Sequence, residues 1–460
     1  MLWDLKPPQF KTYPGMDTIA LPDSIEAGTE LDLAALGRLL FLSAGVVREM
    51  EVGGAPMWFR AAGSAGNLSP LEIYLVIGDA PGLGAGVYHY EPVEHALTRI
   101  GEVEPAGVSA AGRSGPAPAL VVTGVPWRTS WKYRERGFRH LWWDAGTMLA
   151  QTLAVAEDMG WPARIELGFV DDQVGALVGA DGRREVPLAI VGLTGPSGLS
   201  APSAPPENPT PAGFLADDFI EFPLSSAAYQ AGKLASDDDV ESWQLGAATF
   251  AAGRAPGAVE WLELGPIDEV IRRRGSSREF KIDDTAPPDL LMGAMHWSTR
   301  PVPADFVAVG GTLLEHNLIV NAVDRWDAGA YRWGQGVDGL GQLAAGDLRR
   351  TARHLCLDQA LGGDGAYTVF HCADVETVTA ALGERGYRAA LLESGVIEGR
   401  LHLAAYSMGY GASGLTFYDD EVKQFFDTSA DPMLVTAIGK PTYHSRPGGL
   451  PGQPLRMARS

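Results

Sequence analysis

The chain has 460 residues, 36 Lys+Arg against 57 Asp+Glu, a formal net charge of -21 and 46% hydrophobic residues. So negative a balance excludes a nucleic-acid binder, which needs clustered cations to meet phosphates, and argues against an anionic membrane surface as partner. The rest of the composition is that of a folded chain long enough for one or two full cores.

The first ten residues (MLWDLKPPQF) contain no basic segment followed by an apolar run, so no secretory signal is expected. No stretch reaches the roughly 18 uninterrupted apolar residues of a membrane span, and a cytoplasmic location is expected. Cys356 and Cys372 are too few for a disulfide framework, and Cys372 reads as an inert small core residue. The nine histidines make no HxH or HExxH pattern, so no metal is expected. Neither a P-loop nor a GxSxG elbow occurs.

In chain order, residues 33–47 (LAALGRLLFLSAGVV) carry apolar side chains at helical spacing. Residues 71–78 (LEIYLVIG) and 119–125 (ALVVTGV) read as buried strands. Residues 142–159 read as a long apolar helix with small residues on one face. A Pro-, Ser- and Gly-rich run at 194–214 reads as an extended linker. A softer break at 251–258 (AAGRAPGA) precedes a helical pattern at 267–274. Helices and strands without regular βαβ alternation predict an α+β fold.

The chain repeats itself. Glu135-Arg136-Gly137-Phe138-Arg139 is matched 249 positions on (384 − 135) by Glu384-Arg385-Gly386-Tyr387-Arg388. Met159-Gly160-Trp161 matches Met408-Gly409-Tyr410 at the same interval, and Phe169 to Val174 matches Phe417 to Val422 at 248 (417 − 169). Upstream, residues 85–90 (AGVYHY) mirror 328–333 (AGAYRW) at 243 (328 − 85). Each half then closes on an apolar run after a proline, at 187–192 and 432–439. Such a period is too long for a solenoid and predicts two copies of one domain, at 1–193 and 216–460, joined by a linker at 194–215.

Three segments could carry chemistry. Residues 272–278 (RRRGSSR) place four arginines and two serines together, which suits a phosphate, although a basic helix end alone reads as a solvated surface. Residues 59–68 (FRAAGSAGNL) form a small-residue loop that lets backbone amides approach a ligand, or an ordinary loop. Lys132 and Tyr133 follow Trp131, in a chain with only seven lysines. A desolvated lysine can act as a base and a tyrosine can relay its proton, whereas a lysine beside aromatics more often snorkels at a surface. The second copy has Ala381 and Leu382 at those positions.

These segments resemble the FMN-dependent nitroreductase superfamily. Arg274-Gly275-Ser276-Ser277-Arg278 is similar to its RxSxR start. Arg60 to Asn67, with the following Pro70-Leu71-Glu72-Ile73-Tyr74, resembles a segment of its SagB/ThcOx-type dehydrogenases, with Ala62 where a proline is expected. Gly86 to Tyr90 and the Asp144-Ala145-Gly146 helix match the same subfamily. The resemblance implies dimers with FMN at the subunit interface, and hence an intramolecular pseudo-dimer here, monomeric or further associated.

The resemblance also implies that Arg60, Ser64, Ala65, Gly66, Asn67, Arg274, Ser276, Arg278, Gly414, Lys440 and Arg446 bind the cofactor. The second copy keeps RxSxR, Lys440 and Arg446, which the first lacks. The first keeps Arg60, Ser64, Gly66 and Asn67, whereas at an interval of 243 the second has residues 307–310 (VAVG). One FMN per chain is therefore expected, between the copies, with its phosphate on the second. The implied activity is oxidation of azoline rings in a peptide or small-molecule substrate to azoles, with Lys132 and Tyr133 removing the proton, FMN taking hydride and dioxygen reoxidising it. A cyclodehydratase is the implied partner. The alternatives are an NAD(P)H-dependent nitro- or quinone reductase and a non-catalytic flavin-binding subunit of a peptide-modifying complex.

Overall fold

The computed structural model describes residues 5–26, 29–103, 117–197, 212–216, 218–255, 262–335 and 339–457. Most of the Pro-rich run, and so the expected linker, lies outside the described residues. The chain divides into two compact units. One comprises Met1–Gly246 with Pro303–Phe306 and Gly448–Ser460; the other comprises Ala247–Val302 with Val307–Pro447.

The first unit contains strands β1 (Thr18–Ala20), β2 (Val46–Val52), β3 (Ala55–Arg60), β4 (Leu71–Ile77) and β5 (Gly86–Glu91). It continues with β6 (Ala96–Gly101), β7 (Ala119–Gly124), β8 (Arg164–Glu166) and β9 (Val186–Gly192). Seven of them form an antiparallel sheet in the order β1-β6-β5-β4-β7-β9-β8. Helices α1 (Leu33–Ala44), α2 (Pro126–Tyr133), α3 (Gly137–Asp158), α4 (Asp171–Val178), α5 (Pro223–Ala231) and α6 (Asp237–Thr249) accompany it.

Helix α1 starts where the Asp32 carboxylate accepts the Ala35 amide at 2.8 Å, a side-chain N-cap. It stops at Ala44, short of the expected 47. A Cβ at Gly45 would lie 2.4 Å from the Phe41 ring, so only glycine lets the chain leave the helix here. Val46 and Val47 then enter β2. Helix α3 begins at Gly137, five residues earlier than its apolar run predicts, and is buried along almost its whole length.

The second unit contains β10 (Gly253–Arg254) paired with β11 (Gly311–Thr312), then β12 (Glu315–Val320), β13 (Gly329–Trp333) and β14 (Leu340–Ala345). Strands β15 (Tyr367–Ala373), β16 (Gly411–Leu415) and β17 (Asp431–Gly439) complete its sheet, in the order β14-β13-β12-β15-β17-β16. Its helices are α7 (Ile267–Arg273), α8 (Pro288–Ser298), α9 (Arg349–Leu355), α10 (Ala360–Asp364), α11 (Val375–Leu382), α12 (Arg385–Ser407) and α13 (Asp419–Phe426). The C-terminal strand β18 (Leu455–Met457) belongs to the first unit, where it pairs parallel with β2.

The two sheets share one topology: β6-β5-β4-β7-β9-β8 has the same order as β14-β13-β12-β15-β17-β16. The long helices α3 and α12 end alike. Gly160 and Gly409 take φ of 71° and 74°, and the next amide, of Trp161 or Tyr410, donates back to a carbonyl at 2.8 Å in both. The Tyr88 hydroxyl donates to the Gly84 carbonyl and the Tyr331 hydroxyl to the Asp327 carbonyl, each at 2.7 Å. The fold is α+β and tandem, as the repeat predicts.

Residues 218–246, which the repeat places at the head of the second copy, pack in the first unit. The Ser225 amide donates to Glu135 at 2.8 Å, and the Leu234 amide to Asp171 at 2.9 Å. Residues 303–306 are held there too: Asp305 accepts the Leu167 and Gly168 amides at 2.7 and 2.9 Å. Burial raises the Asp305 carboxyl to about 6 against these bonds.

Charge is buried on β4. Glu72 accepts Arg128 Nη1 at 2.5 Å and the Lys11 amide at 2.8 Å, and its other oxygen lies 3.0 Å from His89 Nε2. Burial opposes its ionisation, but the Arg128 charge and His89 prevail and hold the carboxyl well below the usual range. A second buried group joins Lys11 Nζ to Glu185 at 2.6 Å, with the Tyr74 and Thr123 hydroxyls donating to the same carboxylate.

In the second unit, His316 and His371 face each other, Nδ1 to Nδ1, at 3.0 Å. Burial lowers His316 to about 3 and His371 well below its ordinary value, so both rings are neutral at pH 7. An unfolded histidine takes up its proton near pH 6.5, so below that the unfolded chain binds a proton the native one refuses. The native state should therefore lose up to about 1.4 kcal/mol per pH unit relative to a His316→Phe variant, from pH 6.5 downward. Urea unfolding of both proteins at pH 7.5 and 5 tests this; a stability difference unchanged between the two pH values would overturn it.

Candidate functional site

In the first unit the site is built on the loop between β3 and β4 and on the ends of α2 and α3. Asp144, on α3 and buried, anchors the loop. Its carboxylate accepts the Ser64 hydroxyl at 2.6 Å and the Ala65 amide at 3.1 Å, and Ser64 Oγ in turn accepts the Ser69 amide at 2.9 Å. Asn67 is tied by its side-chain amide to the Trp58 carbonyl at 2.9 Å. Arg60 is buried, donates from Nη1 to the Leu71 carbonyl at 2.9 Å and lies over the Phe10 ring. Burial lowers its guanidinium to about 10. Arg60, Ser64, Ser69 and Asp144 border one small pocket with Met148 and Ala44.

The tip of this loop meets the end of α2. Gly66 has φ 64°, and a Cβ built on it would lie 2.8 Å from both Lys132 Nζ and the Tyr133 hydroxyl. The two candidate proton-handling groups therefore converge on the one residue that has no side chain. Lys132 itself is exposed, the snorkelling alternative and not the desolvated one, with Nζ 5.1 Å from the Tyr133 ring centroid. Burial, and then the Asp144 charge, raise Tyr133 to about 12, so its hydroxyl is a donor at neutral pH.

His140 packs against the Tyr133 ring at 4.1 Å, tilted by 31°, and meets Trp143 edge-on at 4.8 Å. Burial, followed by the charges of Arg136, Lys132 and Arg139, lowers it to about 3. The ring is thus a neutral wall behind the tyrosine. Sequence reading did not single out His140, and it named Asp144 only as part of a helix motif.

In the second unit the arginine segment lies between two strands. The Ser277 amide donates to the Ala412 carbonyl on β16 at 2.9 Å, and the Lys281 amide to the Lys440 carbonyl just past the end of β17 at 2.7 Å. Arg274 is buried, Arg278 is exposed, and the Arg278 amide donates to the Tyr443 hydroxyl at 3.1 Å. Ser276 and Ser413 share a hydroxyl–hydroxyl hydrogen bond of 2.9 Å next to Gly414. Lys440 donates to the Gly409 carbonyl at 2.9 Å over the Tyr410 ring, and Arg446 is exposed. Arg274, Ser276, Arg278, Gly414 and Lys440 thus belong to one structural neighbourhood.

One sequence expectation is corrected. A uniform interval of 243 set residues 307–310 against the Ser64 loop. The hydrogen bonds identify Thr312 instead, 248 positions on (312 − 64). Glu393, the counterpart of Asp144 on α12, accepts the Thr312 hydroxyl at 2.7 Å and the Leu313 amide at 2.8 Å. The second copy therefore keeps the anchored hydroxyl and lacks only the projecting loop. The repeat could have revealed this pair, since 393 is 144 + 249.

In the second unit, a buried arginine near paired serine hydroxyls suits a phosphate. In the first, the bare backbone of Gly66 lets Lys132 Nζ and the Tyr133 hydroxyl close on the loop. Among the described residues no cluster of side chains could hold a metal ion, and no helix is long and apolar enough to cross a membrane. Cys356 and Cys372 are both buried, and burial pushes each thiol up to about 12.

No family model matches the sequence. A protein of Methanocaldococcus jannaschii described as a nitroreductase is 29% identical over 150 residues, 31% of this chain and 72% of that protein. The microcin B17-processing protein McbC of Escherichia coli is 28% identical over 138 residues, 28% of this chain; the match spans about half of McbC, 51%. A solved structure from Anabaena variabilis, described as a nitroreductase, superposes with a TM-score of 0.76 at 22% identity, covering 95% of each chain. The chain therefore shares the fold of that nitroreductase-like structure through both copies, and over part of its length it is similar in sequence to the M. jannaschii protein and to McbC.

Proposed function

We propose that the chain is an FMN-dependent oxidoreductase that oxidises azoline rings of a peptide or peptide-derived product to azoles. The observation that carries this reading is the convergence of Lys132 Nζ and the Tyr133 hydroxyl on Gly66. When bound, FMN supplies the two-electron acceptor for a hydride. Arg274, Ser276, Arg278, Lys440 and Arg446 would take its phosphate, while Arg60, Ser64, Ala65, Gly66, Asn67 and Gly414 would bind the remainder. This division, with each copy contributing what the other lacks, supports one flavin per chain.

The substrate ring must lose a proton as well as a hydride. Lys132 Nζ, in its free-amine form, would take the proton, and Tyr133, protonated at neutral pH, would orient the acceptor by hydrogen bonding. His140 and Asp144 hold these groups in place, one by packing against Tyr133 and the other by anchoring the loop that carries Gly66. The likeness to McbC supports a peptide-processing role, with a cyclodehydratase as partner. A second reading, an NAD(P)H-dependent nitro- or quinone reductase, is favoured by the relative described as a nitroreductase. Rapid anaerobic bleaching of the flavin by NADPH, with inertness toward an azoline peptide, would select it.

Lys132→Ala should keep the flavin and lower azoline turnover by about two to four orders of magnitude. Unchanged turnover would remove the base role, and a flavin-to-chain ratio near two in purified protein would refute the single site. Gly66→Ala should cost about 1–2 kcal/mol through its left-handed backbone. It should also displace Lys132 and Tyr133, lowering turnover about tenfold or more. Thermal unfolding and steady-state rates measure the two effects; full activity in this variant would show that the convergence on Gly66 is not used.

A further inference from the structure

Residues 219–230 help to wall a cavity of about 50 Å³ in the first unit. Trp127 borders it from α2, Phe138 and Leu141 from α3, Val186 from β9, and Phe222 and Tyr229 from the covering segment. The Trp127 and Phe222 rings are stacked, with centroids 6.4 Å apart and planes 22° apart, so the cavity has a flat aromatic side. Arg183 and Glu221 also border it, joined by a 2.5 Å ion pair whose arginine is exposed. Their charges cancel, and the solvent-facing edge is electrically neutral.

The second copy shows that the fold does not demand this arrangement. Helix α11 matches α2 end for end at an interval of 249 (375 − 126). Where α2 carries Trp127, at 3% exposure, α11 carries Glu376, which is exposed. The same helix thus forms on the same kind of sheet without a buried aromatic.

One atom of the cavity wall is unsatisfied. Among the described residues, the Trp127 indole Nε1 is buried and has no hydrogen-bond partner. A buried indole N–H usually finds one, and leaving it bare is costly. The hydroxyls that the covering segment brings are engaged elsewhere: Ser225 donates to Glu135 at 2.9 Å and Tyr229 to Asp171 at 3.2 Å. The space exceeds the roughly 10–15 Å³ that one water needs, but a held water also needs two to four polar partners. Phe138, Leu141, Val186 and Phe222 offer it none.

These features define what fits. An indole N–H can only donate, so its missing partner is an acceptor. Aromatic and aliphatic walls select a flat apolar body, and the small volume limits it to a single ring. The neutral edge favours an uncharged one. We infer that this cavity binds a small, neutral, flat ring carrying a hydrogen-bond acceptor, with Trp127 Nε1 donating to that acceptor. Trp127 shares one apolar cluster with Leu68 and Trp131, against which Tyr133 packs, so the cavity wall is continuous with the packing behind the Lys132–Tyr133 pair. The inference does not depend on what that pair does.

The test uses full-length protein with isotope-labelled tryptophan, following the indole N–H signals by NMR. Trp127→Phe keeps a flat wall, removes the donor and identifies the Trp127 signal. Thiazole, a small ring with an acceptor nitrogen, should shift that signal and bind about 3- to 10-fold more tightly than thiophene, which has the same shape without the nitrogen. In Trp127→Phe the preference should vanish while thiophene still binds. Lys132→Ala should bind thiazole as wild type does, which separates this cavity from the Gly66 site. A thiazole flanked by glycine residues distinguishes the source: binding equal to that of free thiazole assigns the ring to a peptide, and loss of binding assigns it to a free small molecule. A Trp127 signal unmoved by saturating thiazole, equal affinity for the two rings, or a preference that survives in Trp127→Phe would each overturn the inference.

Discussion

A buried carboxylate on the long central helix fixes how the chain enters each sheet. Asp144 in the first unit and Glu393 in the second each accept one hydroxyl and one backbone amide from the residues ahead of the first hairpin. A carboxylate in such a place is costly unless its lone pairs are filled, and the amide and hydroxyl fill them. Burial still leaves its mark on Glu393, whose carboxyl is raised to about 7. Because the anchor lies on the helix that the sheet packs against, it couples loop position to core packing.

Between that anchor and the hairpin the copies differ in length. Tyr74 and Asn317 are equivalent, since they pair with His89 and Arg332 at one interval of 243. Ser64 stands ten residues before Tyr74, whereas Thr312 stands five before Asn317, so the first copy has five extra residues. They fall where Gly66, Asn67 and Ser69 take φ of 64°, 55° and 49°. Three left-handed residues in four are strain that a plain connection would avoid, and strain of this kind gathers at binding loops. The insertion makes the turn that brings Gly66 under Lys132 and Tyr133.

Much of this was legible in the sequence, for identifiable reasons. Apolar runs such as residues 71–77 and 432–439 are strands because length and content decide the matter for buried strands. The repeat survived because caps such as Met159-Gly160-Trp161 need specific residues for specific backbone geometry. Illegible features were those made by side chains far apart in the chain. The Ser64–Asp144 bond spans 80 residues, and the Glu72–Arg128 pair 56. Periodicity carries no trace of either. The interval of 243, right for the hairpin, failed one loop upstream because an insertion shifts alignment without disturbing the fold. For Lys132 the sequence left burial and exposure both open, since an aromatic neighbour in sequence need not cover a side chain in space.

Two copies of one fold in a single chain also act as each other's control. Where fold alone decides a residue, both copies choose alike: a glycine after each long helix and a carboxylate beneath each loop. Where they part, the fold is indifferent and some other demand has chosen. Helix α11 forms with an exposed Glu376 at the position where α2 carries the buried Trp127. A requirement of the shared fold would have been felt by both helices. The demand must therefore come from something that one copy meets and the other does not, and the cavity that residues 219–230 wall against α2 is a difference of just that kind.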